Sequence, residues 1–103
     1  MNTVQLIGNV TKAPHFIEGN EHKKAVAFLT IANNDNKEKT VFTQVAVYNK
    51  TAEYVNSYIK AGARLAIEGK LATRPNKTKS GDTYQEQYIA CHNLTNLSPK
   101  SED

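Results

Sequence analysis

The sequence predicts an all-β fold of five strands with a single helix between the third and the fourth. Three observations carry that prediction. Apolar residues recur at every second position through most of the chain, the period of a strand with one face in a core. One segment, residues 51–61, changes to helical spacing, with Ala52, Val55 and Ile59 beside Tyr58. Clusters of Gly, Pro, Asn, Asp and Ser separate the periodic segments, as turn formers do. A chain of 103 residues holds one domain, and its thin core has to be shared among all elements.

Val4, Leu6, Gly8 and Val10 share a phase, so residues 2–12 read as the first strand. Pro14 interrupts that strand or moves it to an edge, Phe16-Ile17 adds a short continuation, and Gly19-Asn20 suits a hairpin turn. Ala25 to Ala32 is apolar in both phases, the pattern of a central strand buried on both faces. Asn33 to Lys39 is a polar loop. Residues 40–49 form the third strand. Val41, Val45 and Val47, with Thr43, face the core, and Phe42, Gln44, Ala46 and Tyr48 face the other way.

The helix over 51–61 has Asn49 or Thr51 as candidate caps and Gly62 as its stop. At about three turns it needs a sheet or barrel end to pack on. Residues 63–73 return to alternation, with Leu65, Ile67, Gly69 and Leu71 on one face and Arg64, Ala66, Glu68 and Lys70 on the other. Pro75 to Asp82 reads as a hairpin loop, and a last strand runs from Thr83 to about Asn93. This order is the layout of the OB-fold, a five-stranded Greek-key barrel in which one face often binds single-stranded nucleic acid or oligosaccharide. The domain is expected over residues 1–97, with a short flexible C-terminus over 98–103.

Composition narrows the chemistry. No apolar run approaches the roughly 18 residues that span a bilayer, and Met1-Asn2-Thr3-Val4 lacks the regions of a signal peptide. One cysteine cannot form an internal disulfide, so a cytoplasmic location and no membrane partner are expected. Cys91-His92 is no metal-ligand set, and no nucleophile–base pair or carboxylate pair stands out. The expectation is therefore no enzyme, no catalytic residue, no metal and no cofactor. The net charge of +3 is a mild lean towards polyanions. It is sharpened by Lys70, Arg74, Lys77 and Lys79, which fall in a run of ten residues without an acid.

Binding of single strands generally uses aromatic faces for bases and cations along the phosphate path. Phe42 and Tyr48 stand six residues apart on one face of the third strand, about 20 Å at full extension. Lys50 follows Tyr48 and is placed to meet a phosphate. Tyr84 lies near the basic hairpin that carries Arg74, Lys77 and Lys79.

Several blocks carry a resemblance. Asn2 to Val10 and Ala25 to Ala32 resemble the first two strands of the bacterial single-stranded-DNA-binding proteins. The run Tyr58-Ile59-Lys60-Ala61-Gly62-Ala63-Arg64-Leu65-Ala66-Ile67-Glu68-Gly69-Lys70-Leu71 is similar to that family's most recognisable block, continued by Thr73-Arg74 and Tyr84. The resemblance covers roughly residues 2–97 and implies a coat for single-stranded DNA in replication, recombination or repair. It implies that Phe42 and Tyr48 occupy stacking positions and Lys50 and Arg74 basic ones. It implies a homotetramer, with a dimer as the alternative, and contacts with replication or repair proteins.

The departures are specific. Asn76 stands where the family has a stacking tryptophan, Asn33 to Lys39 offers no counterpart of another, and weaker binding is expected. Thr43 replaces a histidine that supports the family's dimer contact. The family's acidic, hydrophobic-tipped tail is not matched by Ser101-Glu102-Asp103, which suits either a naturally short, tailless member or a chain cut short of its tail.

Competing readings accompany each residue. A less favoured reading of Phe42 and Tyr48 is packing against another subunit or a loop, and the basic hairpin also suits a solvated loop. Tyr54 and Tyr58 are expected to cover the barrel end, Tyr88 to pack, and Cys91 to be a small buried residue. The alternative function is a primosomal-type adaptor on the same barrel, which mainly contacts replication proteins and binds single strands weakly.

Overall fold

The computed structural model describes residues 1–98 except Asn36. Of the short C-terminus expected over 98–103, residues 99–103 lie outside the described residues. The elements are β1 (Val4–Val10), β2 (His15–Ile17), β3 (Val26–Asn33), β4 (Val41–Tyr48), α1 (Asn49–Tyr58), β5 (Arg64–Lys77) and β6 (Thr83–Asn96). The order β1-β5-β6-β4-β3 closes on itself through a β1–β3 pairing, Asn9 opposite Ala32 and Val10 opposite Ile31. Neighbours run antiparallel except β4 and β6, which pair in parallel at Val45–Ile89 and Ala46–Ala90. The result is the expected OB-fold ring of five strands, with β2 as a short strip on the edge of β3.

Alternation fills the ring. Val10, Ala27, Leu29, Ile31, Val45, Val47, Leu65, Ile67 and Ile89 are at most 3% exposed and form one core with Ala52 and Val55 of α1 and Ile59 directly after it. Burying each larger side chain contributes about 1.5–3 kcal/mol. Cys91 is buried in the same core, as expected, and burial pushes its thiol pKa up. Gly8 and Gly69 occupy core phases because a Cβ there would collide with the backbone carbonyls of Ala32 and Ala90. Gly69 adjoins an irregularity in the β5–β6 register, where a missing side chain lets the strands bend around the ring.

The structure corrects several sequence-based expectations. β3 is buried on one face only. Ala27, Leu29 and Ile31 point inward, while Val26, Phe28 and Thr30 are half-buried on the outside. Val41 and Leu71 are about half exposed, because the start of β4 and the far part of β5 extend past the closed ring. Pro75 lies within β5, opposite Gln85, and the turn shrinks to residues 78–82. Backbone pairing of β1 with β5 ends at Val4–Gly69, so Pro75 sits where β5 has a free edge and its missing N–H costs little.

α1 begins two residues early. Asn49 is its first residue at φ 56°, and Tyr48 precedes it without a side-chain cap. Asparagine tolerates that left-handed conformation, and its N–H donates to the Ala25 carbonyl at 2.9 Å. Gly62, at φ 91°, serves the turn back into the ring, and its N–H donates to the Val10 carbonyl. Tyr54 and Tyr58 do not cover the barrel end. They lie outside, 38% and 69% exposed, with ring centroids 5.2 Å apart. Ala52, Val55 and Ile59 pack into the core instead. No helix among the described residues is long and apolar enough to cross a membrane.

Candidate nucleic-acid interface

The strand period that fills the ring puts a second set of side chains on its outside. On β3 and β4 these face each other in register as Val26–Tyr48, Phe28–Ala46, Thr30–Gln44 and Ala32–Phe42. The Gln44 amide donates to the Thr30 hydroxyl at 3.0 Å. β2 brings His15 opposite Phe28, with their rings stacked at 6.4 Å. The long β5–β6 hairpin supplies the other wall, pairing Ala72 with Tyr88, Arg74 with Glu86 and Asn76 with Tyr84.

Arg74 is the centre of this face. Its guanidinium carbon lies 4.7 Å from the centroid of Phe28 and 5.3 Å from that of Tyr88, within reach of cation–π attraction to both rings. Its Nε donates to a Glu86 carboxylate oxygen at 3.1 Å. The Tyr48 phenol pKa is raised, first by burial and then by the neighbouring Tyr88. The phenol therefore stays neutral at physiological pH.

Phe28, Tyr48, Arg74 and Tyr88 line an open groove of about 430 Å³, with Lys23, Lys24 and Val26 on its rim. Lys23 and Lys24 also border a neighbouring hollow that contains Lys50, Glu18 and Glu53. A groove of ring faces and cations suits a flat, anionic ligand. Among the described residues no group of three or more His, Cys, Asp or Glu could hold a metal ion.

The residues singled out in the sequence are only partly brought together. Tyr48 and Arg74 share the groove. Phe42, 65% exposed, sits at the far end of the same face of β4, and Tyr84, 43% exposed, on the outer part of the hairpin. Lys50 lies in the adjoining hollow. Lys77 alternates with Arg74 and Asn76 and so points to the opposite face of the hairpin, while Lys79 is in the turn. Neither lysine lines the groove.

Sequence reasoning missed Phe28, Lys23 and Lys24, and it assigned Tyr88 to packing. Two signals for them were present: an aromatic ring in the outer phase of β3, and a pair of lysines immediately before it.

A family model described as "Single-strand binding protein family" matches residues 1–97. The chain is 30% identical over 102 residues to a "Single-stranded DNA-binding protein" of Malacoplasma penetrans, an alignment covering 98% of this chain and 54% of that protein. It is 32% identical over 110 residues to one of Bacteroides thetaiotaomicron, covering 97% of this chain and 68% of the relative. It is 25% identical over 108 residues to "Single-stranded DNA-binding protein 1" of Staphylococcus aureus, covering 100% and 69%. The chain thus spans about half the length of the first of these relatives and about two thirds of the other two.

Proposed function

The chain belongs to the single-strand binding protein family, and on that premise we propose that it binds single-stranded DNA with little sequence preference. The family is one of non-enzymatic DNA-binding proteins. The observation that carries the proposal is the groove in which Phe28, Tyr48 and Tyr88 surround Arg74. Every base has a π-face, so stacking on such rings is sequence-tolerant, and cations beside them meet the phosphates.

Phe42 and Tyr84 extend the stacking path to either side. Lys23, Lys24 and Lys50 form its cationic margin, and Lys77 and Lys79 attract the strand from the hairpin tip. The cellular setting is cytoplasmic replication, recombination or repair. The test is titration with oligo-dT, duplex DNA and RNA at two salt concentrations. Tight, salt-dependent binding of oligo-dT with weak duplex binding supports the proposal, and equal affinity for duplex rejects it.

The active form is a homotetramer, with a dimer as the alternative. Supporting it, Ile7 on the outside of the ring and Leu71 on the part of β5 that extends past it are each about half exposed, leaving apolar surface for a second copy to cover. A monomer by light scattering at tens of micromolar rejects it.

One feature favours the adaptor reading. Asn76, at the position of a family stacking tryptophan, offers no ring, and its amide is tied to Glu86 at 3.0 Å. A pull-down that recovers a helicase, together with weak oligo-dT binding, would favour that role.

A further inference from the structure

We infer that Glu86 is a built-in limiter of affinity, holding down the attraction of the groove for single strands by neutralising Arg74. The inference rests on the single-strand reading. The groove lining carries three cations, Lys23, Lys24 and Arg74, and no acid. Glu86 is bonded to the one of these that lies among the rings. A single oxygen, Oε2, accepts from Arg74 Nε at 3.1 Å and from Asn76 Nδ2 at 3.0 Å.

The pair is only partly shielded, with the Arg74 side chain 34% and the Glu86 side chain 24% exposed. A nucleic-acid backbone passing Arg74 therefore meets a carboxylate on the same face. The phosphate has to compete with that carboxylate for the guanidinium, and the two anions repel each other.

The opposite role for Glu86 is that of a brace aiming Arg74 at the ligand. Geometry weighs against it, because Arg74 is already held over Phe28 and near Tyr88. Glutamine at position 86 keeps an acceptor oxygen of the same reach, so Glu86→Gln removes the charge and leaves the bracing.

The test measures binding of oligo-dT to wild type, Glu86→Gln and Glu86→Asp across a salt series, with a thermal melt to show that each is folded. Glu86→Gln is expected to bind about 3-fold tighter at low salt, the scale of a partly exposed ion pair. Its logarithmic salt slope is expected to steepen by about 0.7, one further phosphate neutralised on a single strand. Glu86→Asp keeps the charge and is not expected to tighten. Wild-type binding with an unchanged or weakened Glu86→Gln overturns the limiter. Wild-type protein that binds no oligonucleotide at any salt overturns the single-strand reading and the limiter together.

Discussion

The two faces of β3 and β4 are made from alternate residues of the same segments, yet they are held by different physics. Inside, Leu29, Ile31, Val45 and Val47 are at most 1% exposed and sit in one close-packed core. Outside, Phe28, Tyr48 and Arg74 are half-buried, and Arg74 is held by cation–π contacts with two rings and by its hydrogen bond to Glu86. A packed core forbids entry to a ligand, because every neighbour is already in contact. The outer rings keep accessible surface, and the forces that hold them, cation–π attraction and stacking, are those a base and a phosphate also use. The same period thus yields a face that stores stability and a face that can exchange its contacts for a ligand.

The sharpest way to break this contrast is to exchange the expected outcomes of the two faces. Leu29→Ala is expected to cost about 2–5 kcal/mol of stability by cavity formation, read by denaturant unfolding. Val45→Ala is expected to cost on the order of 1–3 kcal/mol in the same way, with affinity retained while the protein is folded.

Phe28→Ala and Phe42→Ala are expected to show the reverse. Each loses about 1–3 kcal/mol of oligo-dT binding, with a smaller loss of stability. Tyr48→Ala is expected to lose binding on that scale and some stability as well, because its ring is half-buried against the groove. Melting of the Phe42→Ala protein with undiminished affinity of the folded fraction would reverse the assignment of faces.

Charge reversal of Lys77 and Lys79 together is expected to be milder. Affinity should fall about equally for all base compositions, and the salt slope should flatten by roughly 1.4 if both lysines meet phosphates on a single strand. An unchanged slope in a salt titration would make the hairpin tip a solvated surface.

The smallest expected effect concerns the two sides of α1. Tyr58→Ala, at a 69% exposed position, is expected to change stability within about 0.5 kcal/mol. Val55→Ala, fully buried, should destabilise clearly more in the same unfolding measurement.

The five strands of the ring, the place of the helix and most of the inward phases of β1, β4 and β5 were legible in the chain because they are local. Alternation is set by the geometry of consecutive residues, and Val45 and Val47 face inward whatever lies across from them. The same local reading failed where the answer depended on what covers a side chain. β3 looked buried on both faces because nothing in its sequence tells a packed layer from an arginine and two rings. Tyr54 and Tyr58 looked like a cover for the barrel end because they stand one helical turn apart, and only the packed structure shows that Ala52 and Val55 face the core instead. Pro75 looked like a turn because its neighbours in the sheet are not written beside it.

The candidate site shows the division most clearly. The chain by itself supplied Tyr48 and Arg74 as an aromatic ring and a cation on strands, since type and phase are properties of single segments. That these two meet Phe28 and Tyr88 around one groove was decided by the tertiary structure. Those residues lie on four different strands, β3, β4, β5 and β6. They converge because β4 pairs with β6 in parallel and β1 closes onto β3. Such pairings are chosen by how a ring of twisted strands buries one shared core, a condition on the whole chain that no single segment carries.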